Sequence, residues 1–499
     1  MSTVPAPQPS SRRTAASVLD GFTDLRVLVV GDLVLDEWLY GSAGRLCREA
    51  PVPVVDVRHV HQAAGEAGNA AANAGALGAQ VTYVGIVGDD TAGDDLRRIL
   101  GEQGVDVSHV CVDAGRATPT KRRLVSDNQV VARFDVSDRG WSDRAVRQAE
   151  ERAFALMPDA DVVILSDYQD GVFSPRFRER LADERHRVGG LLLVDAHRPL
   201  DWQSCRPAVV TPNAGESLQI LGKEPTEVPN RLSLLRQSSS SLLARAGADM
   251  VVTTVDEQGS LLHLPGRAPH RTRPKATAGT LGPCGAGDTF AATFALAVAG
   301  GASPELAADL AQTSADIVIG REGTSICTAQ DLLLASAEPQ ASVTPACDVA
   351  ELVREHRELG RRVVFTNGCF DILHTGHVTY LGQARQLGDL LIVGVNSDAS
   401  VRRLKGPDRP VVPEQERARL VASLDSVDMV AVFDEDSPRS LIEAVRPDVY
   451  VKGGDYTPEM LPETELVRSL GGEVVLVDYL EDRSTTSIVE RIRSSKAAS

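Results

Sequence analysis

LRVLVVGDLVLD (Leu25–Asp36) decides the fold class. Six residues from Leu25 to Val30 give a compact, mostly apolar run that stops at Gly31 and Asp32, the pattern of a buried parallel strand delivering a polar residue at its carboxyl end. The pattern recurs at Val81–Val87, at Val162–Leu165 ahead of Ser166 and Asp167, at Leu191–Val194 ahead of Asp195, at Ala208–Val210 ahead of Thr211, and at Met250–Val255. Helix-compatible stretches such as Trp141–Met157 and Arg231–Ala246 lie between these runs. Alternating strands and helices predict an α/β sheet with helices on both faces and right-handed crossovers. Two β-branched, partly alternating stretches, Glu49–Val60 and Thr120–Asp135, break the rhythm and predict a small exposed sheet placed as a lid. A helical bundle is excluded.

Further along, ASAEPQASVTPA (Ala335–Ala346) is small, proline-containing and aperiodic, as a linker is. The α/β pattern then restarts at RRVVFTNGCFD and continues through Leu390–Val395, Met429–Phe433, Val449–Lys452 and Val474–Val477. The expected organisation is a loose leader over 1–24, a first domain over 25–334, a linker over 335–346 and a second domain over 347–499. A chain of 499 residues exceeds what one core supports, which is at most roughly 300 residues. Its 69 acidic against 52 basic residues, net charge −17, disfavour non-specific binding to nucleic acid or an anionic membrane. Seven scattered cysteines with no C-x-x-C pair fit a reducing cytoplasm. No stretch of 18 apolar residues and no signal-peptide pattern occurs.

The sharpest feature of the first domain is GPCGAGDTF (Gly282–Phe290), ahead of the alanine-rich stretch Ala291–Val298. Glycines at a helix start aim free backbone N–H groups at an anion, and Asp288 lies beside that hollow, placed to take a proton from a hydroxyl. A tight turn with a capping aspartate has the same composition. G-A-G-D-T-F resembles the catalytic signature of the ribokinase and sugar kinase (PfkB) family, and the order of elements from Val27 to Ala335 is similar to it. GRLCREAPVPV (Gly44–Val54) resembles the segment that marks heptose 7-phosphate kinases. The resemblance implies a ribokinase-like α/β/α domain with a β lid, and Asp288 as general base. It implies the amides of Gly285, Ala286 and Gly287 as the hole for the transferring phosphate, and Asp32 and Asn69 as ligands of sugar hydroxyls. It also implies Asn213 and Glu216, in TPNAGES, as organisers of Mg2+ and phosphate, and Thr254, Asp256 and Gly259 as lining of the nucleotide site. Lys121 and Arg133, with Arg123, are cations of the lid available to a second phosphate or to solvent alone. Two positions depart from the family pattern: Glu66 replaces a glycine in GEAGN, and Gly282 replaces an aspartate. An outward Glu66, or one paired with Arg123 or Arg133, is expected.

In the second domain, FTNGCFDILHTGHVTYLGQARQLGD (Phe365–Asp389) is the most specific stretch. His374 and His377, three apart at a helix start, share one face beside the unbonded amides of the first turn, and Gly376 leaves room for a phosphate. Zinc would need further ligands at a recognised spacing, which are missing. N-G-C-F-D-x-L-H-x-G-H resembles the signature of the nucleotidyltransferases that include the cytidylyltransferases, over Arg361–Ile492. This implies a Rossmann-like domain with His374, His377 and Lys452 acting on the reacting phosphates. Phe365, Asn367, Gly368, Gly376, Lys405 and the run Ser484, Thr485 and Thr486 would bind the nucleotide.

The two halves together resemble the bifunctional heptose 7-phosphate kinases fused to heptose 1-phosphate adenylyltransferases. The resemblance implies ATP and Mg2+ as cofactors, heptose phosphates as substrates and a cytoplasmic homodimer formed through the kinase domain. It implies two reactions: phosphorylation at O1 of D-glycero-β-D-manno-heptose 7-phosphate, and adenylyl transfer to the 1-phosphate. The alternative, motivated by Glu66 and Gly282, is a nucleotidyltransferase for a related sugar or alditol phosphate whose kinase-like half is a silent binding or dimerisation module.

Overall fold

The computed structural model describes residues 14–477 except 128, 139, 225–227, 229, 275–283, 338–341, 345–348, 351–352, 355, 358–359, 425 and 454–459. The chain divides into two compact units, Met1–Ser336 and Ala337–Ser499.

The first unit is built on a nine-stranded sheet. Its centre is Arg26–Gly31, flanked by Val162–Asp167 on one side and Gln80–Val84 on the other, all parallel. Leu191–Ala196, Val209–Val210 and Met250–Thr254 extend it in parallel, and Ser260–His263 and His270–Thr272 close that edge antiparallel. Successive side chains of the central strand enter opposite layers, as the period of a strand requires. Val27 and Val29 pack with the helices Ala67–Ala76, Ala286–Ala299 and Pro304–Ile319, while Leu28 and Val30 pack with Asp143–Leu156, Pro175–Asp183 and Ser239–Ala246. The chain leaves the central strand first toward Gln80–Val84 and later toward Val162–Asp167. The crevice at their carboxyl ends is therefore a topological switch point, where open α/β sheets bind ligands.

The expected lid is a four-stranded sheet in the order Pro53–Glu66, Leu33–Leu46, Thr120–Ser126, Gln129–Val136. Its second member was not anticipated. Leu33–Asp36 continues directly from the central strand in sequence, yet the chain turns at Asp32 and enters the lid, with Leu33 opposite Glu66 and Leu35 opposite Thr120. Thr120–Asp135 is a hairpin that turns at Asp127, whose φ is 50°. The helix expected over Arg231–Ala246 is divided at Ser238 into Arg231–Gln237 and Ser239–Ala246.

In the second unit, six parallel strands follow the order Ser342–Thr344, Met429–Phe433, Leu390–Asn396, Val363–Gly368, Val449–Gly453, Glu473–Val477, a doubly wound Rossmann-like sheet. The stretch read as linker is partly regular: the helix Ala329–Ala337 runs into it, and Ser342–Thr344 pairs with Met429–Ala431 as the edge strand. Small residues and proline concealed a short strand whose ladder is made with a distant partner. Among the described residues, no helix is long and apolar enough to cross a membrane.

Candidate active sites

The first site lies where the central strand and Val162–Asp167 end. Asp32, buried at 1% exposure, accepts the backbone N–H groups of Tyr168 (2.9 Å), Asp170 (3.1 Å) and Val172 (3.2 Å). It thereby holds the loop that follows Val162–Asp167. Burial, with the nearby charges of Asp167 and Glu66, pushes its pKa up to about 8, against the pull of those amides. Asp288 is the third residue of the helix Ala286–Ala299 and is 5% exposed. Its Oδ1 accepts the Tyr168 hydroxyl at 2.6 Å, and its Oδ2 accepts Asn69 Nδ2 at 3.1 Å. Burial raises its pKa to about 6, with Tyr168 and Asn69 opposing the rise. A carboxylate of that kind is ionised at neutral pH and basic enough to share a hydroxyl proton.

Gly285 precedes this helix with φ of 76°, and a Cβ there would meet Asn69 Nδ2 at 2.2 Å. Glycine is required both by its backbone and by the approach of the amide that holds Asp288. Asn69 also donates to the Gly285 carbonyl at 3.0 Å and accepts from Asn73 at 3.0 Å. Asn69, expected at the sugar hydroxyls, thus also contacts the carboxylate of Asp288. Gly287 has open space at its Cα and lines a cleft of about 110 Å³ with Tyr168, Asp195, His197, Glu216 and Thr254. Asp195, pushed up to about 7 by burial and by the charges of Asp288 and Glu216, accepts the Thr211 hydroxyl at 3.0 Å.

Asn213 and Glu216 form a reciprocal capping box on Ala214–Ile220, and Glu216 Oε1 lies 3.0 Å from His197 Nδ1. Their T-P-N-x-x-E spacing is therefore already accounted for by a helix start, while the same carboxylate faces the cleft. Asp256 is exposed, 3.7 Å from Arg231, and a Cβ at Gly259 would strike the Thr272 carbonyl carbon's oxygen at 2.1 Å, so that glycine serves strand packing.

On the lid, Glu66 is neither outward nor paired with Arg123 or Arg133. It is 6% exposed, has φ of 58° and pairs with Lys121. Arg123 is taken by Asp36 and stacks on Trp38, and Arg133 is held by Asp135 at 2.6 Å on the outer strand. The register sets Lys121 between Asp36 and Asp135, and Arg123 between Trp38 and Arg133, so Arg123 reaches Asp36 diagonally and Arg133 meets Asp135 along its own strand. The sequence reading passed over Tyr168. Its signal was its place directly after a buried strand ending in Ser166 and Asp167. Gly282 lies outside the described residues.

The second site is a cavity of about 520 Å³ at the carboxyl ends of Val363–Gly368 and Val449–Gly453, lined among others by Asn367, Gly368, His377, Lys405, Lys452 and Glu463. His374 caps the helix Thr375–Arg385, and its ring lies 3.9 Å from that of His377, centroid to centroid. Burial, with His374 and Lys405 nearby, lowers the His377 pKa to about 4, which favours the neutral imidazole. Gly376 is buried in the first turn of that helix. Lys452 donates to the Asn367 carbonyl at 3.2 Å, with its pKa lowered by burial, and Asn367 Oδ1 accepts the Tyr450 hydroxyl at 2.8 Å. Lys405 is exposed at the cavity wall.

Phe365 departs from expectation: its ring is wholly buried, stacks on Tyr450 in the core beneath the strand and is not part of the cavity lining. Arg417, fully buried, donates to the Cys369 carbonyl and to Asp398 (2.8 Å), fixing the turn that follows the strand. Ser484, Thr485 and Thr486 lie outside the described residues.

Residues 25–331 match the pfkB family carbohydrate kinases, and residues 365–497 match the cytidylyltransferase-like family. The bifunctional protein HldE of Geotalea uraniireducens (strain Rf4) is 39% identical over 498 residues, 97% of this chain and 99% of its own length. That of Mesorhizobium japonicum is 39% identical over 501 residues, 99% of each. Among solved structures, phosphofructokinase-2 from Escherichia coli in complex with substrates and products superposes with a TM-score of 0.52 at 17% identity, covering 63% of this chain and 98% of that one. At that identity it shows the fold of the first unit.

Proposed function

The chain belongs to the HldE family of bifunctional enzymes, a pfkB carbohydrate kinase joined to a cytidylyltransferase-like adenylyltransferase that together serve ADP-heptose synthesis, and from that premise we propose its two reactions and the residues that carry them. In the first, ATP phosphorylates O1 of D-glycero-β-D-manno-heptose 7-phosphate. In the second, after a separate phosphatase has removed the 7-phosphate, ATP and heptose 1-phosphate give ADP-heptose and pyrophosphate.

The observation that carries the kinase reading is the buried Asp288, ionisable near neutral pH, at the start of a helix whose first turn opens on a cleft. The acceptor hydroxyl gives its proton to Asp288 as its oxygen attacks the γ-phosphorus, and the amides of Gly285, Ala286 and Gly287 receive the charge on the transferring group. Asp32 and Asn69 fix the geometry around the sugar. Lys121, and Arg133 at the lid's outer strand, supply positive charge for the 7-phosphate, with Glu66 offsetting that of Lys121.

Mg2+ fits this cleft as an ion that keeps most of its shell as water and phosphate oxygen. Among the described residues no three acidic, His or Cys side chains form a closed site, and Glu216, with Asn213 and Asp195 alongside, would hold the ion from the wall of the cleft. The ion supplies charge neutralisation of the triphosphate. In the second site, the 1-phosphate oxygen is already an anionic nucleophile. Lys405 and Lys452 neutralise the triphosphate around the attacked α-phosphorus and His374 and His377 bind its oxygens, with Asn367, Gly368 and Gly376 shaping the floor and Ser484, Thr485 and Thr486 as further phosphate ligands.

A cytoplasmic location is supported by six free cysteines among the described residues. A homodimer through the kinase unit is supported by the lid's outer strand, on which Val130, Val131, Phe134 and Val136 are 40–45% exposed. Mass-resolved product analysis with a panel of heptose phosphates and nucleoside triphosphates tests the assignment. It expects heptose 1,7-bisphosphate and ADP-heptose, and no bisphosphate from any heptose 7-phosphate would favour the silent-module alternative.

A further inference from the structure

We propose that Tyr168 is the positioning residue of the phosphoryl-transfer base, holding Oδ1 of Asp288 so that Oδ2 is presented to the acceptor hydroxyl. The inference rests on Asp288 being that base. Tyr168 is fixed at both ends: its backbone N–H donates to Asp32 at 2.9 Å, its hydroxyl donates to Asp288 Oδ1 at 2.6 Å, and its ring meets the edge of His197 at 4.8 Å. The loop after Val162–Asp167 therefore ties the aspartate that ends the central strand to the aspartate that opens the signature helix. The two carboxylate oxygens are unequal. Oδ1 has a short phenolic donor, while Oδ2 has the longer, weaker amide donor of Asn69 at 3.1 Å. Oδ2 is accordingly the better proton acceptor.

In the step, the acceptor O–H bond breaks and its proton passes to Oδ2. The freed oxygen pair forms the bond to the γ-phosphorus, and the bond from γ-phosphorus to the bridging oxygen breaks, leaving its pair on ADP. The phenol keeps its own proton throughout, since burial and the adjacent Asp288 raise its pKa well above the ordinary tyrosine value.

The charge balance around Asp288 explains why such a donor is needed. Asp36 of the lid, Glu66 before the helix Ala67–Ala76, Asp195 of the strand Leu191–Ala196 and the Cys284 thiol ahead of its own helix all act on it in the direction of protonation when ionised. Lys121 from the lid, Asn69 and Tyr168 act in the other direction. Tyr168 makes the shortest of these contacts without adding a charge that would compete for the substrate's phosphate.

The test uses the full chain and the sugar phosphate it turns over best. Tyr168→Phe keeps the ring and removes the donor. The acid limb of kcat/KM should move up by about one to two pH units, as loss of a hydrogen bond to a charged group implies. At pH 7 kcat should fall about two- to tenfold, as the ionised fraction of Asp288 does for that shift, with the sugar KM changed less than threefold and with recovery toward pH 8.5. 3-Fluorotyrosine installed at position 168, a more acidic phenol that keeps the fold, should move the same limb down by a few tenths of a unit. Acid limbs unmoved in both proteins overturn the proposal, and if the phenylalanine variant fails to fold the fluorotyrosine result decides alone. Retained phosphorylation in Asp288→Asn would instead overturn the base assignment beneath it.

Discussion

Asp288 and His377 face opposite demands and are tuned in opposite directions. Burial raises the carboxylate to about 6 and lowers the imidazole to about 4, in each case disfavouring the charged form. For Asp288 the working form is the anion, so phosphorylation should be lost as pH falls through about 6 and be level above it. Asp288→Asn should lower kcat at least about 100-fold if general-base transfer carries its usual share. For His377 the working form is the neutral donor, already formed above pH 5. Adenylyl transfer should therefore show no limb between pH 6 and 7 that disappears in His377→Asn. His377→Ala should reduce turnover by about 100- to 1,000-fold, as loss of one transition-state donor does, whereas a raised KM at unchanged kcat would make it a binding residue.

The sequence singled out both residues, because a helix start with glycine and one polar side chain is a local pattern, and the family resemblance supplied their expected roles. Tyr168 was not singled out, because its partner lies 120 positions away and only the sheet brings them together. Phe365 shows the converse. It sits inside a motif and belongs to the core, because alternate residues of a buried strand point away from the site.

Among the elements, the signature helix and the lid carry the sharpest consequences. Ala286–Ala299 begins at a glycine pressed against Asn69, so Gly285→Ala should displace the amide that holds Asp288. Steady-state kinetics should show phosphorylation lowered more than tenfold, with adenylyl transfer by the same chain unchanged. In the lid, Glu66 occupies a backbone conformation that suits glycine, and it pairs with Lys121 across the intervening strand Leu33–Leu46. Removing the lysine strands a carboxylate that is 5% exposed, though the lysine itself is 26% exposed, which moderates the cost. Lys121→Ala should lower unfolding free energy by about 2 kcal/mol in denaturant titration, and adding Glu66→Gln should restore part of it. Equal destabilisation in the single and double variants would show that the pair is not coupled.

The lid's existence was readable from β-branched alternation, but its pairings were not. A strand continuous in sequence with the central one changes sheets at Asp32, and nothing local marks that change.

At the scale of the molecule, two units each carry a sheet, mostly parallel in the first and parallel in the second, with a site at its switch point, and each site is built from residues of its own unit. The restart of the strand pattern after residue 346 made this organisation legible. The short strand Ser342–Thr344 was hidden because its partner, Met429–Ala431, lies far along the chain. The central claim is two independent chemistries in one chain. It is tested most directly by mass-resolved product analysis of the full-length protein and of its Asp288→Asn and His377→Ala variants, each given ATP with heptose 7-phosphate and, separately, with heptose 1-phosphate. The account predicts that the unaltered chain forms both bisphosphate and ADP-heptose, that Asp288→Asn forms ADP-heptose alone and that His377→Ala forms bisphosphate alone. Loss of both products in either folded variant, or bisphosphate formation that survives Asp288→Asn, would contradict it.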